Sequence, residues 1–262
     1  IEQELKQKTV LHNDLKSYNR PVIIGAGPAG LFCALTLIEN GIKPIIVEQG
    51  KTVEERQKDV ELFLKERMLN TCSNVQFGEG GAGTFSDGKL NTMVKDPVGR
   101  NRKVLELFVE AGAPEEILYE NKPHLGTDQL IGIVTRMRKE IEDLGGEVRF
   151  GCRVTDLLTD RGQIRGVSYE QRQTADRVEE QELWTDVVVL AIGHSARDTF
   201  SMLKEKGIPM QAKSFAVGFR VEHPQSEVNL TQYGSLYAGR LPAAPYKVTA
   251  NLSSGRGVYS FC

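Results

Sequence analysis

The stretch GAGPAG at residues 25–30 has the glycine spacing that brings a backbone close to the phosphates of a dinucleotide. It follows the apolar run PVIIG and precedes LFCALTLIENG, in which four apolar residues recur at helical spacing: Leu31, Ala34, Leu35 and Ile38. A second apolar run, KPIIVEQ, then ends in Glu48, about 20 residues after Gly25. Strand, glycine turn, helix, strand and acid follow in the order of a dinucleotide-binding unit.

Each residue of this unit has a physical role. Gly25 permits a tight turn, Gly27 lets the backbone approach a pyrophosphate, and Gly30 lets helix and strand pack closely. The helix N-terminus offers N–H groups to phosphate oxygens, and the carboxylate of Glu48 can accept hydrogen bonds from ribose hydroxyls. The alternative is a glycine-rich turn in an unrelated α/β protein. Such a turn would not need the strand, glycine turn, helix, second strand and acid to occur together.

The stretch GEGGAG at 78–83 matches the same pattern in different surroundings. CSNVQF before it is a poor strand, TFSDGKLNT after it has no apolar helical face, and Asn101 stands where the acid is expected. We therefore expect no second dinucleotide-binding turn here. Four glycines in six residues still favour a sharp turn or a close approach, so the loop 78–90 either lies against the same dinucleotide or is a plain flexible loop.

The composition is that of a globular protein, with 40% hydrophobic and 26% charged residues. The net charge is −2 and the basic residues are interspersed with acids, which argues against nucleic acid as a partner. No apolar run is long enough to span a bilayer, and the N-terminus lacks the hydrophobic centre of a signal peptide. The four cysteines have neither disulfide nor zinc spacing. We expect a cytoplasmic protein without membrane contact or metal.

The middle of the chain predicts a helix and a β-meander. Residues 127–146 form an amphipathic pattern with Thr127 or Asp128 as its cap, and they lead into one strand, EVRFGCRV. Three β-like pieces follow, VTDLLTD, IRGVSYE and ELWTDVVVLAIG, the last running on as a buried parallel strand. The fold class is therefore α/β, a parallel sheet with an inserted antiparallel meander.

With these pieces the chain resembles the Rossmann-like FAD-binding domains of the glutathione reductase-like superfamily. VIIGAGPAG, IIVEQ, GGEVRFGCRVTDLL and VVLAIG carry that resemblance, with Ile192 where the superfamily has Thr. NVQFGEGGAGTFSDGKL, KPHLGTDQL, AIGHSARDTF and FAVGFRVEHPQ are more narrowly similar to a family of bacterial FAD-dependent dehydrogenases without a defined substrate.

The resemblance implies a set of FAD contacts. Gly25, Gly27, Pro28, Ala29 and Gly30 would face the pyrophosphate, and Glu48 with Gln49 the adenosine ribose. The adenosine side would be completed by Val154, Ala191, Ile192 and Gly193, and the path to the flavin by Gly80, Gly81, Gly83, Thr84 and Ser86. Arg56 either reaches a phosphate or is a solvated helical charge.

The resemblance also implies a domain plan. Residues 1–19 would be left from an upstream region, 20–200 would be the FAD-binding domain with an insertion around 91–126, and 201–262 would begin a mixed substrate or cap domain. The chain starts at Ile1 and stops at Cys262 after a β-like run, so we expect a fragment cut at both ends.

The flavin would carry the chemical step, and few side chains are needed for it. The candidates near substrate are Lys89 and His194 first, then Asp87, His124, Arg220 and His223; structural or surface roles are the alternative for each, and they are the favoured reading for His124 and His223. The sequence contains no second strand–glycine–helix unit, so NAD(P)H would act as a transient reductant docking over the flavin or through a further part of the protein.

Three functional hypotheses remain. The first is an FAD-dependent oxidoreductase with unknown substrate and electron acceptor. The second is a flavin-binding regulatory or scaffold protein without turnover. The third is an FAD-dependent tRNA-modifying enzyme, which the weak basic patterning argues against.

Overall fold

The computed structural model of the chain describes residues 20–86, 88–90, 95–120, 122–172, 177–219 and 221–261. The chain divides into two compact units between Pro209 and Met210. The boundary expected after residue 200 would cut through a helix, Arg197–Glu205. The predicted domain functions stay predictions.

The first unit is built on a four-stranded parallel sheet. Its strands are β1 (Val22–Ile24), β2 (Ile45–Val47), β3 (Glu147–Arg149) and β7 (Val188–Leu190), and their order in space is β3-β2-β1-β7. In register, Ile23 lies beside Ile46 on one side and Val189 on the other. Every residue of β1 and β2 is buried, as expected for apolar central strands covered on both faces.

Helices cover one face of this sheet. They are α1 (Pro28–Glu39), α3 (Arg100–Glu110) and α4 (Thr127–Asp143), with a short 3₁₀ helix at Glu115–Leu118. The inward residues of α1 pack with those of α4 in one core cluster. Phe108 of the predicted insertion meets Phe32 of α1 edge to face at 5.2 Å. Gly126 is the N-cap of α4, so the prediction of Thr127 or Asp128 as cap is wrong, and no side chain caps this helix.

The other face of the sheet packs against an antiparallel meander. Its strands are β4 (Cys152–Asp160), β5 (Gln163–Arg172) and β6 (Val178–Trp184), and the second core cluster joins β1 and β2 to the inward side chains of β4 and β5. Helix α5 (Arg197–Glu205) adds Leu203 to the same cluster. The predicted α/β class, with a parallel sheet and an inserted meander, is confirmed.

Two strands that were predicted as continuous are broken. EVRFGCRV is divided at Gly151, whose φ of 67° turns the chain from β3 in the parallel sheet into β4 of the meander. ELWTDVVVLAIG is divided at buried Thr185, whose hydroxyl donates to Val187 O and accepts from Val187 N. That local hydrogen bonding offers the backbone an alternative to the β-ladder, so the chain leaves one sheet and enters the other.

The remaining helix of the first unit, α2 (Val53–Glu66), follows β2. The second unit contains α6 (Gln225–Tyr237), interrupted at Gly234, and a hairpin of β8 (Lys247–Asn251) with β9 (Gly257–Phe261). Asn229 of α6 ties this unit together, because its side chain accepts from Ala244 N and donates to Ala238 O. None of the helices in the described ranges is both long and apolar enough to cross a bilayer.

Candidate functional site

The first glycine motif forms a turn in which Gly25 and Gly30 leave no room for a side chain. Gly25 has a φ of 105°, and a Cβ there would lie 2.5 Å from Ala191 O. A Cβ on Gly30 would lie 1.9 Å from Gly25 O, so this glycine allows helix α1 to pack on the turn. The predicted roles of both glycines agree with this geometry.

Helix α1 presents an open N-terminus at this turn. Gly27 is its N-cap, no side chain caps it, and Pro28 and Ala29 are exposed in its first turn. The first backbone N–H groups of a helix lack intrahelical partners and carry the positive end of its dipole. A bare N-terminus of this kind fits a phosphate group.

Glu48 connects the end of β2 to both glycine motifs. Its carboxylate is buried and accepts hydrogen bonds from Ala26 N at 2.8 Å, Gly50 N at 2.9 Å and Gly78 N at 3.1 Å. A carboxylate has about four acceptor positions. One acceptor position is therefore not used by these three hydrogen bonds, and Gln49 beside it is half-buried. The ribose contact of both residues stays a prediction.

The second glycine motif packs directly on the first. Gly80 N donates to Ala26 O at 2.8 Å, and a Cβ on Gly81 would lie 3.1 Å from the Cα of Gly27. Residues 78–86 form turns and bends, and no helix begins in the described residues that follow them up to residue 90. The expectation that GEGGAG is not a second dinucleotide-binding turn agrees with this geometry. The loop lies against GAGPAG, and its contact with a dinucleotide stays a prediction.

Arg56 of α2 holds this loop from within. Its side chain is fully buried, and its guanidinium donates to Asn74 O at 2.7 Å, Glu79 O at 2.7 Å and Gly81 O at 2.8 Å. The interpretation of Arg56 as a solvated helical charge is therefore wrong. The alternative, a phosphate contact, stays a prediction. Nε and Nη1 donate to backbone carbonyls, whereas Nη2 is buried without a hydrogen-bond partner among the described residues, and the ring of Phe85 lies 4.8 Å from the guanidinium carbon. Burial lowers the pKa of Arg56 to about 10, with Glu48 and Glu79 opposing that effect.

Glu79 anchors the same loop to two helices. Its buried carboxylate accepts from Val53 N at the start of α2 at 2.7 Å and from Arg138 Nε of α4 at 2.8 Å. Arg138 also pairs with Glu54 at 2.8 Å. Burial raises the pKa of Glu79, although Val53 N–H and Arg138 oppose the shift. Sequence reasoning missed this ion pair, and its one signal was an acid within a glycine-rich stretch.

The predicted adenosine-side residues lie in two places. Ala191, Ile192 and Gly193 follow β7, and Ala191 N donates to Ile24 O at 2.9 Å, which places them beside the Gly25 turn. Val154 lies in β4 with its side chain buried in the second core cluster. The structure thus leaves only the backbone of Val154 for a ligand, and its contact with adenosine stays a prediction.

The residues predicted near the flavin lie in the second glycine motif and directly after it. Gly83 is exposed, Thr84 is buried, and Ser86 donates to Gly83 O at 2.6 Å. Lys89 pairs with His124 through an isolated antiparallel β-bridge.

Two of the remaining candidates lie within the described residues, His194 and His223. His194 is exposed after β7 with its Nδ1 3.1 Å from Ser195 Oγ, and His223 lies in the second unit against Tyr246. Asp87 and Arg220 lie outside the described residues. Among the described residues, no group of three or more His, Cys, Asp or Glu side chains is arranged to hold a metal ion.

Comparison with known proteins gives the family. The model described as pyridine nucleotide-disulphide oxidoreductase matches residues 19–199. The chain belongs to this family. A second model, described as FAD-dependent protein, C-terminal domain-like, matches residues 214–262. The predicted relationship to FAD-dependent oxidoreductases is thereby confirmed.

Two relatives of the chain are longer than the chain itself. An uncharacterized protein of Clostridium beijerinckii is 47% identical over 245 residues, which are 93% of this chain and 44% of that protein. A thiamine thiazole synthase of Methanococcus maripaludis is 24% identical over 187 residues, 70% of this chain and 59% of the synthase. The chain thus spans about half the length of these relatives.

Solved structures share less sequence with the chain. THI4 of Thermovibrio ammonificans is 18% identical and aligns over 79% of this chain and 66% of its own, with a TM-score of 0.46. The glycerol-3-phosphate dehydrogenase of Bacillus halodurans, in complex with FAD, is 16% identical over 67% of this chain and 34% of its own, with a TM-score of 0.42.

Proposed function

We propose that this chain forms the FAD-binding part of an oxidoreductase. The observation that carries the proposal is the uncapped N-terminus of α1, bordered by the carboxylate of Glu48 and by the second glycine loop. A dinucleotide requires donors for its phosphates and an acceptor for its ribose. The N–H groups of α1 and the close approach allowed by Gly27 suit the phosphates, and the buried Glu48, with one acceptor position left, suits the ribose.

The chain's own residues would bind and orient the cofactor. The first turn of α1 would donate to the pyrophosphate, and Glu48 would accept from the ribose while holding Ala26 and Gly78 in place. The second glycine loop would exclude water from one side of the pyrophosphate, because it packs on Gly27. FAD, when bound, supplies the acceptor for hydride or single electrons.

We also propose that NADH or NADPH reduces the flavin transiently. In the described residues, one strand–glycine–helix unit occurs, and that unit is assigned to FAD. A nicotinamide would therefore have to approach the flavin directly, without a second such unit in this part of the chain.

The test is to purify the full-length protein, release its cofactor by denaturation and identify it by chromatography and mass. FAD at close to one equivalent per chain is the expected result, and a different nucleotide or none would refute the proposal. Anaerobic titration with NADH and NADPH then reports reduction as loss of visible flavin absorbance.

Turnover distinguishes an oxidoreductase from a flavin-binding scaffold. We expect the reduced protein to be reoxidised by an added quinone or dye acceptor over repeated cycles. A protein that keeps FAD through purification but is reduced by neither nicotinamide nor candidate substrates would fit the scaffold instead.

A further inference from the structure

The chain brings two basic side chains together next to the second glycine loop. Lys89 and His124 are partners in an isolated antiparallel β-bridge, formed by Leu90 N donating to Pro123 O at 3.0 Å and Leu125 N donating to Gly88 O at 2.9 Å. Those hydrogen bonds flank the pair instead of joining it. Lys89 and His124 are therefore a non-hydrogen-bonded pair, whose Cα atoms are about 4.5 Å apart and whose side chains leave the same face.

Burial along the two segments agrees with this geometry. Gly88 is buried, Lys89 exposed and Leu90 half-buried; across from them Pro123 is buried, His124 exposed and Leu125 fully buried. The alternation of exposure matches the side-chain alternation of extended backbone. Lys89 and His124 thus share the exposed face, while their neighbours face the protein.

The bridge is fixed to the core of the first unit. Leu125 belongs to the main core cluster, and Leu90 packs against it. Gly88 has a φ of 70°, and a Cβ there would lie 1.7 Å from Leu125 O. The Nε2 atom of His124 lies 3.5 Å from the same Cβ position, so the imidazole lies near Gly88.

The same segment is tied to the loop that packs on GAGPAG. Ser86 Oγ donates to Gly83 O at 2.6 Å and accepts from Gly88 N at 3.3 Å. Thr127 Oγ1 donates to Ser86 O at 3.4 Å, at the start of α4. Hydrogen bonds thus join the segment that carries Lys89, and the start of α4 just after His124, to the end of the second glycine loop, which packs on the proposed pyrophosphate site.

We propose that Lys89 and His124 bind a carboxylate group of the substrate, an inference that rests on the proposed flavin function. The ammonium of Lys89 supplies a positive charge, and the imidazole of His124 supplies a ring nitrogen that can donate a hydrogen bond. Exposed Lys122 adds a second positive charge, and exposed Asp128 is the acidic group in the first turn of α4. A monoanion fits better than a phosphate dianion, because the neighbouring pyrophosphate would repel a dianion more strongly.

The test measures binding of benzoate to the full-length protein as purified, by calorimetry. Its neutral isostere benzamide and inorganic phosphate are titrated in parallel. We expect saturable binding of benzoate and at least tenfold weaker binding of benzamide. Lys89→Met and His124→Gln should each weaken benzoate binding by about tenfold or more, since each removes a hydrogen bond to a charged group. Lys58→Met, an exposed lysine of α2, is the matched control and should leave it unchanged.

The outcomes separate this inference from the proposed function. In one outcome the protein contains FAD, and wild type, Lys89→Met and His124→Gln bind benzoate with equal affinity. That result would overturn the carboxylate site and leave the proposed flavin function unchanged. Tighter binding of phosphate than of benzoate, lost in the same variants, would overturn the assignment of a carboxylate. In another outcome the purified protein contains no FAD but binds benzoate, and both Lys89→Met and His124→Gln weaken that binding. That result would support the carboxylate site and refute the proposed flavin function.

Discussion

At the scale of single residues, Glu48 has more contacts than its predicted role required. Its carboxylate is a buried acceptor for three backbone N–H groups, from Ala26, Gly50 and Gly78. The residue therefore holds the two glycine motifs in place, in addition to its proposed contact with a ribose. Its two effects must be measured separately.

Glu48→Ala should weaken FAD binding by about one to two orders of magnitude, because a hydrogen bond to a charged group contributes roughly 1.5 to 3 kcal/mol. It should also lower the free energy of unfolding without cofactor by about 1 to 3 kcal/mol, since buried N–H groups lose their acceptor. Urea denaturation of the apoprotein and flavin titration by fluorescence report the two quantities. Unchanged FAD affinity would remove Glu48 from the site.

Arg56 illustrates a role that only the folded chain reveals. Helical periodicity placed it in a charged stretch, TVEERQKDVELF, where most neighbours are indeed exposed. Its burial follows from the loop 74–81, which folds over it and presents carbonyl oxygens to the guanidinium. Contacts with a distant irregular loop leave no periodic signal in the sequence.

Arg56→Met should destabilise the apoprotein by about 3 kcal/mol or more, because it removes the donors to the loop carbonyls and the charge between Glu48 and Glu79. Arg56→Lys should recover only a part of that loss, since an ammonium cannot reach several carbonyls in a planar fork. Urea denaturation measures both. Equal stability of the lysine variant and the wild type would contradict the role of the fork geometry.

At the scale of elements, the second glycine loop is held by the Glu79–Arg138 pair between α2 and α4. Burial holds the pKa of Glu79 above its ordinary value. A carboxyl with a raised folded-state pKa stabilises the fold most where it is protonated, below its unfolded pKa, and that contribution is lost as pH rises through the folded pKa.

Glu79→Gln removes that titration. We expect the wild type to lose stability relative to Glu79→Gln as pH rises from the ordinary carboxyl range through the raised pKa of Glu79. Denaturation midpoints of both proteins across that pH range measure the difference, with Glu61→Gln on the exposed face of α2 as control. A stability difference that does not change with pH would contradict the raised pKa.

The β-bridge between residues 88–90 and 123–125 can be tested by substituting Gly88, with Gly83 outside the bridge as the control. Gly88→Ala places a Cβ at 1.7 Å from Leu125 O with a φ of 70°, whereas Gly83→Ala meets nothing within 4 Å. We expect Gly88→Ala to cost about 1 to 3 kcal/mol or more, and Gly83→Ala to stay within about 0.5 kcal/mol of wild type. Similar melting temperatures for both variants would show that the bridge is not formed.

The sequence predicts the elements better than their ends. VIIGAGPAG, the helix after it and IIVEQ are correctly placed, because strand and helix periodicity and the glycine spacing coincide there. The breaks at Gly151 and Thr185 were missed, since a chain that passes from one sheet to another keeps a β-like pattern on both sides. The pairing of Lys89 with His124 was likewise hidden, because it joins two loops far apart in sequence.

At the scale of the whole molecule, the chain consists of two compact units, and the two matched families divide in a similar place. The proposed pyrophosphate and adenosine contacts all lie in the first unit. The chain covers 44% of the Clostridium relative.

We expect residues 1–262 expressed alone to bind FAD at least about a thousandfold more weakly than the full-length protein, a difference of several kcal/mol. The comparison uses flavin content by absorbance and the rise in melting temperature with added FAD. Equal flavin content and equal stabilisation would show that the site is complete within these residues.

The central claim is that the N-terminus of α1 receives the pyrophosphate of FAD, and Gly27→Ala tests it most directly. A Cβ on Gly27 meets its nearest neighbour, the Cα of Gly81, at an ordinary 3.7 Å, and its φ of −74° suits alanine. The apoprotein should therefore keep its melting temperature, while the added methyl group should keep the pyrophosphate from the backbone N–H groups. We predict a loss of FAD affinity of about tenfold to a hundredfold in the full-length protein, measured by flavin titration. Wild-type affinity in a Gly27→Ala protein of unchanged stability would contradict the account.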